Sequence, residues 1–163
     1  MSTNNNEQKG TPLPEHGDCF VCGTSNPKSL GVQWYMQADK TIMGEVTLTK
    51  AQQGPPMHAH GGASAAILDE VMGGATWANG YMVMTASMTV NYRRPVPLGV
   101  PLMAKGWVHE KVGRKVYAKS IIQLPDGTVA VEGEAIFVEN PRLFEQYAKQ
   151  FENYKQTGTL NIE

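Results

Sequence analysis

A pair of glycines at the start of an apolar segment and a carboxylate within that segment carry the chemistry that this sequence predicts. His60, Gly61 and Gly62 leave a loop and enter a stretch of helical composition. The first N–H groups of a helix have no intrahelical partner and lie at the positive end of its dipole. Glycine also allows a ligand to approach the backbone closely, because it has no Cβ. We therefore expect the Gly61 N–H to stabilise a developing oxyanion, and Gly62 to contact substrate.

Asp69 lies in the same apolar segment, where its neighbours predict burial. Burying an unpaired carboxylate costs several kcal/mol, so Asp69 requires hydrogen-bond partners, a raised pKa or access to a cleft. We interpret it as a general base that activates water, or as a nucleophile that forms a mixed anhydride. Glu70 lies about 100° further round the helix, and we assign it to the solvent-facing stripe.

The spacing of His60-Gly61-Gly62 and Asp69 resembles the motif of hotdog-fold thioesterases of the phenylacetate-degradation, or PaaI-like, group. The run Val83–Leu98 resembles the strand that follows the central helix in this group. Two motifs in register make a chance match improbable. The resemblance implies an α+β hotdog fold, in which an antiparallel sheet wraps one long central helix. It also implies an acyl-CoA thioesterase that releases a free carboxylic acid and coenzyme A.

Gly54-Pro55-Pro56 is similar to the corresponding segment of the subgroup that contains the carboxyl-terminal modulator protein, and the whole resemblance covers residues 45–138. The resemblance implies that the Thr85 hydroxyl helps to position water. His60 could act as a base near neutral pH, but a histidine just before a helix more often hydrogen-bonds the turn, so we assign it to loop geometry or to orientation of the substrate carbonyl. Members of the group assemble as homodimers or homotetramers and build their sites between protomers. Relatives carry Asn where this chain has Gly54, so the second oxyanion donor stays open, with Gln53 or His58 as replacements.

Coenzyme A carries phosphates, so a thioesterase of this kind needs cationic groups at the mouth of its site. Arginine holds phosphate through two parallel hydrogen bonds. We expect two pairs of adjacent residues to bind these phosphates, namely Arg93 with Arg94 and Arg114 with Lys115. Each of them is also compatible with ordinary surface charge.

Cys19 and Cys22, followed by Gly23, form half of a zinc motif. His16 offers a third ligand, but the sequence shows no fourth, short of the cysteines of a partner subunit. A thioredoxin-like βαβ context is also absent. We therefore predict that the cysteines pack in a turn, and that the reaction needs neither metal nor cofactor. The His58-x-His60 pair likewise has no further ligands nearby.

Composition excludes several other classes of protein. The 163 residues are 41% hydrophobic and carry a formal net charge of −1, which argues against a basic nucleic-acid binder. The sequence shows no signal peptide and no apolar run long enough to cross a membrane, so we expect a cytoplasmic protein. We predict a flexible segment over 1–15, a hotdog domain over 16–140, and a C-terminal helix and tail over 141–163.

The periodicity predicts the order of the elements. A hairpin over 32–48 precedes a helix over 60–78 that ends at Asn79-Gly80, and two further hairpins follow over 102–139. Gly73-Gly74 inside the helix predicts close packing against a sheet. From residue 82 the side chains alternate with a period of two. One face is predicted to carry Met82, Met84, Ala86, Met88, Val90 and Tyr92.

Two other functions remain as alternatives to a thioesterase. The first is a non-catalytic hotdog protein that binds acyl-CoA or regulates a partner. The second is a dehydratase of the same fold, which should carry its own histidine and acid on the hydration-type helix. That pattern is not present in this sequence.

Overall fold

The computed structural model describes residues 10–14 and 16–145, which form one antiparallel sheet and a long helix packed against it. This is the hotdog arrangement expected from the sequence. The strand order is β1-β2-β3-β5-β6-β7-β4, with β4 at one edge. The strands are β1 Thr11–Pro12, β2 Tyr35–Met36, β3 Ile42–Thr47, β4 Val83–Tyr92, β5 Pro101–Val112, β6 Lys115–Gln123 and β7 Val129–Glu139.

Helix α1, Gly61–Ala78, begins and ends at the predicted signals. His60 is its N-cap, and the His60 Nδ1 accepts a hydrogen bond from the Gly62 N–H at 2.9 Å. At the other end, Asn79 caps the helix and Gly80 adopts a φ of 82°, a left-handed conformation in which glycine has no Cβ to clash.

The core lies between α1 and the concave face of the sheet. Gly106 of β5 shows how close the contact is, because a Cβ at this position would lie 2.7 Å from the Val71 carbonyl oxygen. The helix contributes a buried stripe of seven side chains, Ser64, Ile67, Leu68, Val71, Met72, Ala75 and Thr76. Burial of this stripe, rather than helix propensity, holds α1 in place.

A β-bulge in β4 changes which side chains face the helix. Thr85 pairs with Phe137 and Ser87 pairs with Ile136 of β7, so Ala86 is the extra residue. Alternation reverses at such a bulge. The prediction of one continuous face from residue 82 to residue 92 was therefore wrong. Thr85 and Tyr92 are an odd number of residues apart and would point to opposite faces of a regular strand, yet both turn toward α1.

The two ends of the described chain add short elements. β1 pairs with β2, so the sheet begins inside the segment predicted to be flexible. Helix α2, Pro141–Glu145, begins after Asn140, whose side chain accepts from the Leu143 N–H at 3.3 Å. The remainder of the predicted C-terminal helix, with Tyr147, Phe151 and Tyr154, lies outside the described residues. Within the described ranges, no helix is both long and apolar enough to span a membrane.

Candidate active site

Asp69 is positioned by the middle of α1 and by the start of β4. The Thr85 hydroxyl donates a hydrogen bond to the Asp69 Oδ1 at 2.8 Å. The two predicted site residues, separated by a turn and part of a strand, are thus in direct contact. Because this bond leaves the second carboxylate oxygen available to other donors, Asp69 can accept a proton from a bound water.

Burial raises the pKa of the Asp69 carboxyl above its ordinary value. The bond from Thr85 opposes this shift, while the nearby Glu70 charge adds to it. A raised pKa brings a carboxylate closer to the range in which it is an effective general base at neutral pH. The environment that the sequence predicted for Asp69 is therefore present.

Asp69 opens onto a largely apolar cavity of about 250 Å³. The cavity runs between α1, the start of β4 and the segment before β2. The residues lining it include Leu13, Trp77, Tyr81, Met82, Met84, Phe137 and Phe144. An apolar cavity beside a carboxylate can hold the hydrocarbon part of a substrate next to the base.

Gly73 and Gly74 leave room for this cavity, which corrects the prediction of close packing. A Cβ at Gly73 would meet nothing within 4 Å, and one at Gly74 would make only ordinary contacts at 3.5 Å or more. Both glycines line the cavity. Their missing side chains keep space open for a ligand rather than allowing the sheet to approach.

The start of α1 presents one free backbone donor. The Gly62 N–H is taken by His60, whereas the Gly61 N–H has no acceptor among residues 10–14 and 16–145. The Gly61 carbonyl oxygen accepts from the Tyr92 hydroxyl at 2.8 Å. Tyr92 thereby fixes the first turn of the helix to the end of β4, a role that the sequence did not predict. Gly62 is close to the site, but its N–H is not available to substrate.

The loop before α1 explains why no asparagine stands at position 54. A Cβ on Gly54 would lie 2.8 Å from the His60 Cα, so a side chain does not fit. His58 Nδ1 lies 3.0 Å from the Pro56 carbonyl oxygen and must carry the proton to bond with it. His58 in this tautomer has an acceptor at Nε2, so it is a poor replacement for the second oxyanion donor.

Two other groups near Gly61 can supply a second donor. Since His60 Nδ1 accepts from the Gly62 N–H, the neutral ring carries its proton on Nε2 and can donate from there. Ser64 is one turn further along α1, and its buried hydroxyl has no hydrogen-bond partner among the described residues. Ser64 and Gly61 line the same cavity of about 460 Å³. Sequence alone gave no signal for Ser64, because an unpaired hydroxyl is visible only in three dimensions.

Gly61 and Asp69 of one chain lie too far apart to act on the same carbonyl group. The α-helix rises about 1.5 Å per residue, which places their backbones roughly 12 Å apart along α1. A base and an oxyanion donor must both lie about 3 Å from the reacting atoms. Gly61 and Asp69 of one chain therefore cannot serve the same site, and a site with both groups would take each of them from a different chain.

The predicted cations fall into two groups at opposite ends of β4. Arg93 and Arg94 line the cavity beside Gly61, and the Arg93 Nε lies 3.0 Å from the Glu132 Oε2. Arg114 lies in the β5–β6 turn and donates to the Glu139 carbonyl oxygen at 2.7 Å, and Lys115 follows it at the start of β6. Only the first pair is beside the helix N-terminus of its own chain.

Glu70 does not lie on a solvent-facing stripe, so this prediction was wrong. Only 22% of its side chain is exposed, and it contacts His16, Cys19 and Cys22 of the segment before β2. Packing of that segment across α1 covers the helix face that the sequence assigned to solvent. The four side chains lie together, and two of them, His16 and Glu70, line the cavity next to Asp69.

The chain is similar to known thioesterases in sequence and in structure. A family model described as the thioesterase superfamily matches residues 57–122. Acyl-coenzyme A thioesterase THEM4 of Xenopus laevis is 37% identical over 89 residues, which cover 53% of this chain and 40% of that protein. Protein RHA08564, a thioesterase superfamily protein of solved structure, is 39% identical with a TM-score of 0.74, over 76% of this chain and 61% of that one.

A more distant likeness concerns the fold alone. The PaaI protein of E. coli, from the phenylacetic acid degradation operon, is 16% identical with a TM-score of 0.64, over 68% of this chain and 80% of that one. The chain spans half or less of the length of the curated relatives that it matches. The similarity therefore concerns only a part of each of those longer proteins.

Proposed function

We propose that this hotdog protein of the thioesterase superfamily hydrolyses acyl-CoA thioesters to a free carboxylic acid and coenzyme A. The observation that carries the proposal is the contact of Asp69 with the Thr85 hydroxyl at the edge of an apolar cavity. Similar proteins are named acyl-coenzyme A thioesterases, which supports the same substrate class. The pKa of the Asp69 carboxyl, which burial raises, is consistent with the role of a general base.

Catalysis begins with polarisation of the thioester carbonyl at the start of α1. The free Gly61 N–H donates to the carbonyl oxygen, and the helix dipole stabilises the charge that develops there. One donor of this kind contributes about 3 to 4 kcal/mol to the transition state. His60 Nε2 or the Ser64 hydroxyl supplies the second donor.

Asp69 then acts as the general base. A water held by Asp69 and Thr85 loses a proton to the free carboxylate oxygen as it attacks the carbonyl carbon. Collapse of the tetrahedral intermediate breaks the C–S bond, and the coenzyme A sulfur takes up the proton that Asp69 received from water, which returns Asp69 to its ionised form. Attack by Asp69 itself, through a mixed anhydride, is the alternative order of events.

A dimer formed through β4 brings the two halves of the site together. β4 lies at one edge of the sheet. It is ten residues long, and most of these residues are exposed. Such an edge readily pairs with another strand. Antiparallel pairing of two β4 strands about a two-fold axis places the Thr85 end of one beside the Tyr92 end of the other. Asp69 of one protomer then approaches Gly61 of its partner.

The same pairing collects the cations around one site. Arg93 and Arg94 lie near the Tyr92 end of β4, while Arg114 and Lys115 lie near its beginning, beside Glu139. A two-fold axis between the two β4 strands places the beginning of one strand beside the end of the other. Cations from both protomers therefore surround the same opening. We assign them to the phosphates of coenzyme A.

The cavity beside Asp69 is proposed to hold the acyl group, and Gly73 provides a test. Gly73→Ala should raise the free energy of unfolding by about 1 kcal/mol, because the Cβ enters open space and helix propensity improves. Gly73→Leu should extend into the cavity and lower kcat/KM at least tenfold more for long acyl chains than for acetyl-CoA. Thermal melts and assays over chain length measure both effects. An equal loss for all chain lengths would place the acyl group elsewhere.

Release of free thiol from a panel of acyl-CoAs tests the proposed function directly. The panel should vary in chain length and include an aromatic acyl group, with equilibrium binding of a non-hydrolysable thioether analogue measured in parallel. Turnover identifies a thioesterase. Binding without turnover would favour the alternative of a non-catalytic acyl-CoA-binding protein, and neither binding nor turnover would exclude both.

A further inference from the structure

Four potential metal ligands converge beside the cavity, although the sequence showed only three of them. Cys19 and Cys22 lie in the segment before β2, and Glu70 lies on α1, far away in the chain. The Glu70 Oε1 is 3.3 Å from the Cys19 Sγ, 3.1 Å from the Cys22 Sγ and 3.5 Å from the His16 Nδ1. The His16 Nδ1 is 3.4 Å from the Cys22 Sγ. All four ligand atoms lie within 4.8 Å of one another.

Four of the six separations in this cluster resemble those of a tetrahedral zinc site. Zinc binds thiolate sulfur at about 2.3 Å and imidazole nitrogen or carboxylate oxygen at about 2.0 to 2.1 Å, so neighbouring ligand atoms lie about 3.3 to 3.8 Å apart. The four separations between 3.1 and 3.5 Å are close to this range, and the other two are at most 4.8 Å. We propose that His16, Cys19, Cys22 and Glu70 bind one zinc ion.

The loop that carries the cysteines is shaped around the first sulfur. The Val21 and Cys22 N–H groups point at the Cys19 Sγ, at 3.3 and 3.5 Å. Backbone donors of this kind stabilise a metal-bound thiolate and orient it. A Cβ at Gly23 would lie 2.3 Å from the Gly17 carbonyl oxygen, so only glycine permits the turn.

Each side chain of the cluster is of a type that can bind a divalent cation. Thiols, carboxyl groups and imidazoles bind a metal in their deprotonated forms, so binding of zinc by these four residues would release protons.

The donor set also favours zinc over other common ions. Two thiolates exclude magnesium and calcium, which prefer oxygen ligands, and an additional imidazole is typical of zinc. Four protein ligands leave no open position for water or substrate, so the role is structural. The ion would fasten the loop over 16–23 to α1, one residue from the catalytic base Asp69. This explains why Glu70 is buried although it is not assigned to the reaction.

Metal analysis of the full chain, produced without a histidine tag in zinc-supplemented medium, tests the site. We expect about one zinc per chain, bound with a Kd of about 10⁻⁷ M or tighter in competition with a chelator dye. Replacement by Co²⁺ should produce the visible bands of a tetrahedral ion and a thiolate-to-cobalt band. Less than a tenth of an equivalent of zinc, together with a lack of Co²⁺ bands after reconstitution of the reduced protein, would overturn the proposal.

Variants locate the ion on the four side chains. Glu70→Gln and Cys19→Ser should each weaken zinc binding at least about 100-fold, since even residues behind the ligands contribute 10- to 100-fold. Glu45→Gln, which removes an exposed carboxylate of β3, is the matched control and should bind zinc normally. Removing zinc from the wild type should lower Tm by roughly 5 to 10 °C, and this loss should vanish in Glu70→Gln.

Unchanged zinc affinity in Glu70→Gln and Cys19→Ser would place the ion elsewhere and contradict the proposal. If either variant fails to fold, the cobalt spectrum of the wild type still decides whether two thiolates bind the ion. Zinc content and Tm involve no thioester, so their outcome is independent of the proposed hydrolase activity.

Discussion

Replacing Asp69 with Asn should lower kcat for acyl-CoA hydrolysis by about 10² to 10⁴ while the Kd for a thioether analogue changes only a few fold. Asparagine keeps the shape of the side chain and can still accept from the Thr85 hydroxyl, but it cannot take a proton from water. Stopped assays of thiol release and equilibrium binding separate the two quantities. The loss should appear in kcat because the base acts only as the reaction proceeds.

The pH dependence of the wild type tests the same role. A general base must be ionised, so kcat/KM should fall as the pH drops through the pKa of Asp69, which burial raises above its ordinary value. This acid limb should therefore lie at a higher pH than that of an exposed aspartate. In Asp69→Asn the limb should disappear from the residual activity.

Two substitutions of Thr85 serve as matched controls for the role of Asp69 as the general base. Thr85→Ser keeps the hydroxyl that donates to Asp69 and should retain most activity, whereas Thr85→Val removes it and should reduce kcat by less than Asp69→Asn does. Thermal melts confirm that each variant is folded. Full turnover in Asp69→Asn would show that Glu70 or another group is the base.

Two inactive variants should restore activity when they are combined in one dimer. Gly61→Pro removes the backbone donor, and Asp69→Asn removes the base. If each site takes Gly61 from one chain and Asp69 from the other, a mixed dimer contains one site with both groups and one with neither. Random reassortment makes half of the dimers mixed, so activity should recover to about a quarter of wild type.

The backbone at Gly61 is compatible with proline, so Gly61→Pro removes the N–H without requiring a different helix start. Proline is favoured at the first position of a helix, and His60 already has φ −63° and ψ 137°, as a residue before proline requires. A Cβ at this position would nevertheless lie 3.2 Å from the Tyr92 ring. Gly61→Ala is therefore the matched control, because it adds the Cβ and keeps the donor. It should retain far more activity than Gly61→Pro.

Co-expression of differently tagged chains followed by two affinity steps isolates the mixed dimer, whose activity should be about half of wild type. Pairs in which both chains carry Asp69→Asn should stay inactive. If both groups came from one chain, every site of the mixed dimer would lack one of them. Activity no higher than that of the parents would then exclude the shared site.

Local sequence patterns were sufficient to predict the principal helix and the turns between strands, whereas the hotdog fold was expected from the family resemblance. His60 with the two following glycines and Asn79-Gly80 mark the ends of α1, and both signals lie within a few residues of the structure they specify. The polar breaks at 38–40, 112–114 and 125–127 likewise predicted the turns that separate the strands. These features depend on short-range geometry, which the order of residues determines directly.

Only the tertiary structure brought together groups that are distant in the chain. Glu70 meets the cysteines of the loop across α1, and Gly73 borders a cavity instead of a packed sheet. The bulge at Ala86 allows both Thr85 and Tyr92 to face the helix. A regular alternation cannot reveal such a bulge, because one extra residue reverses every face that follows it. Periodicity determines which elements form, whereas packing between them decides which side chains meet.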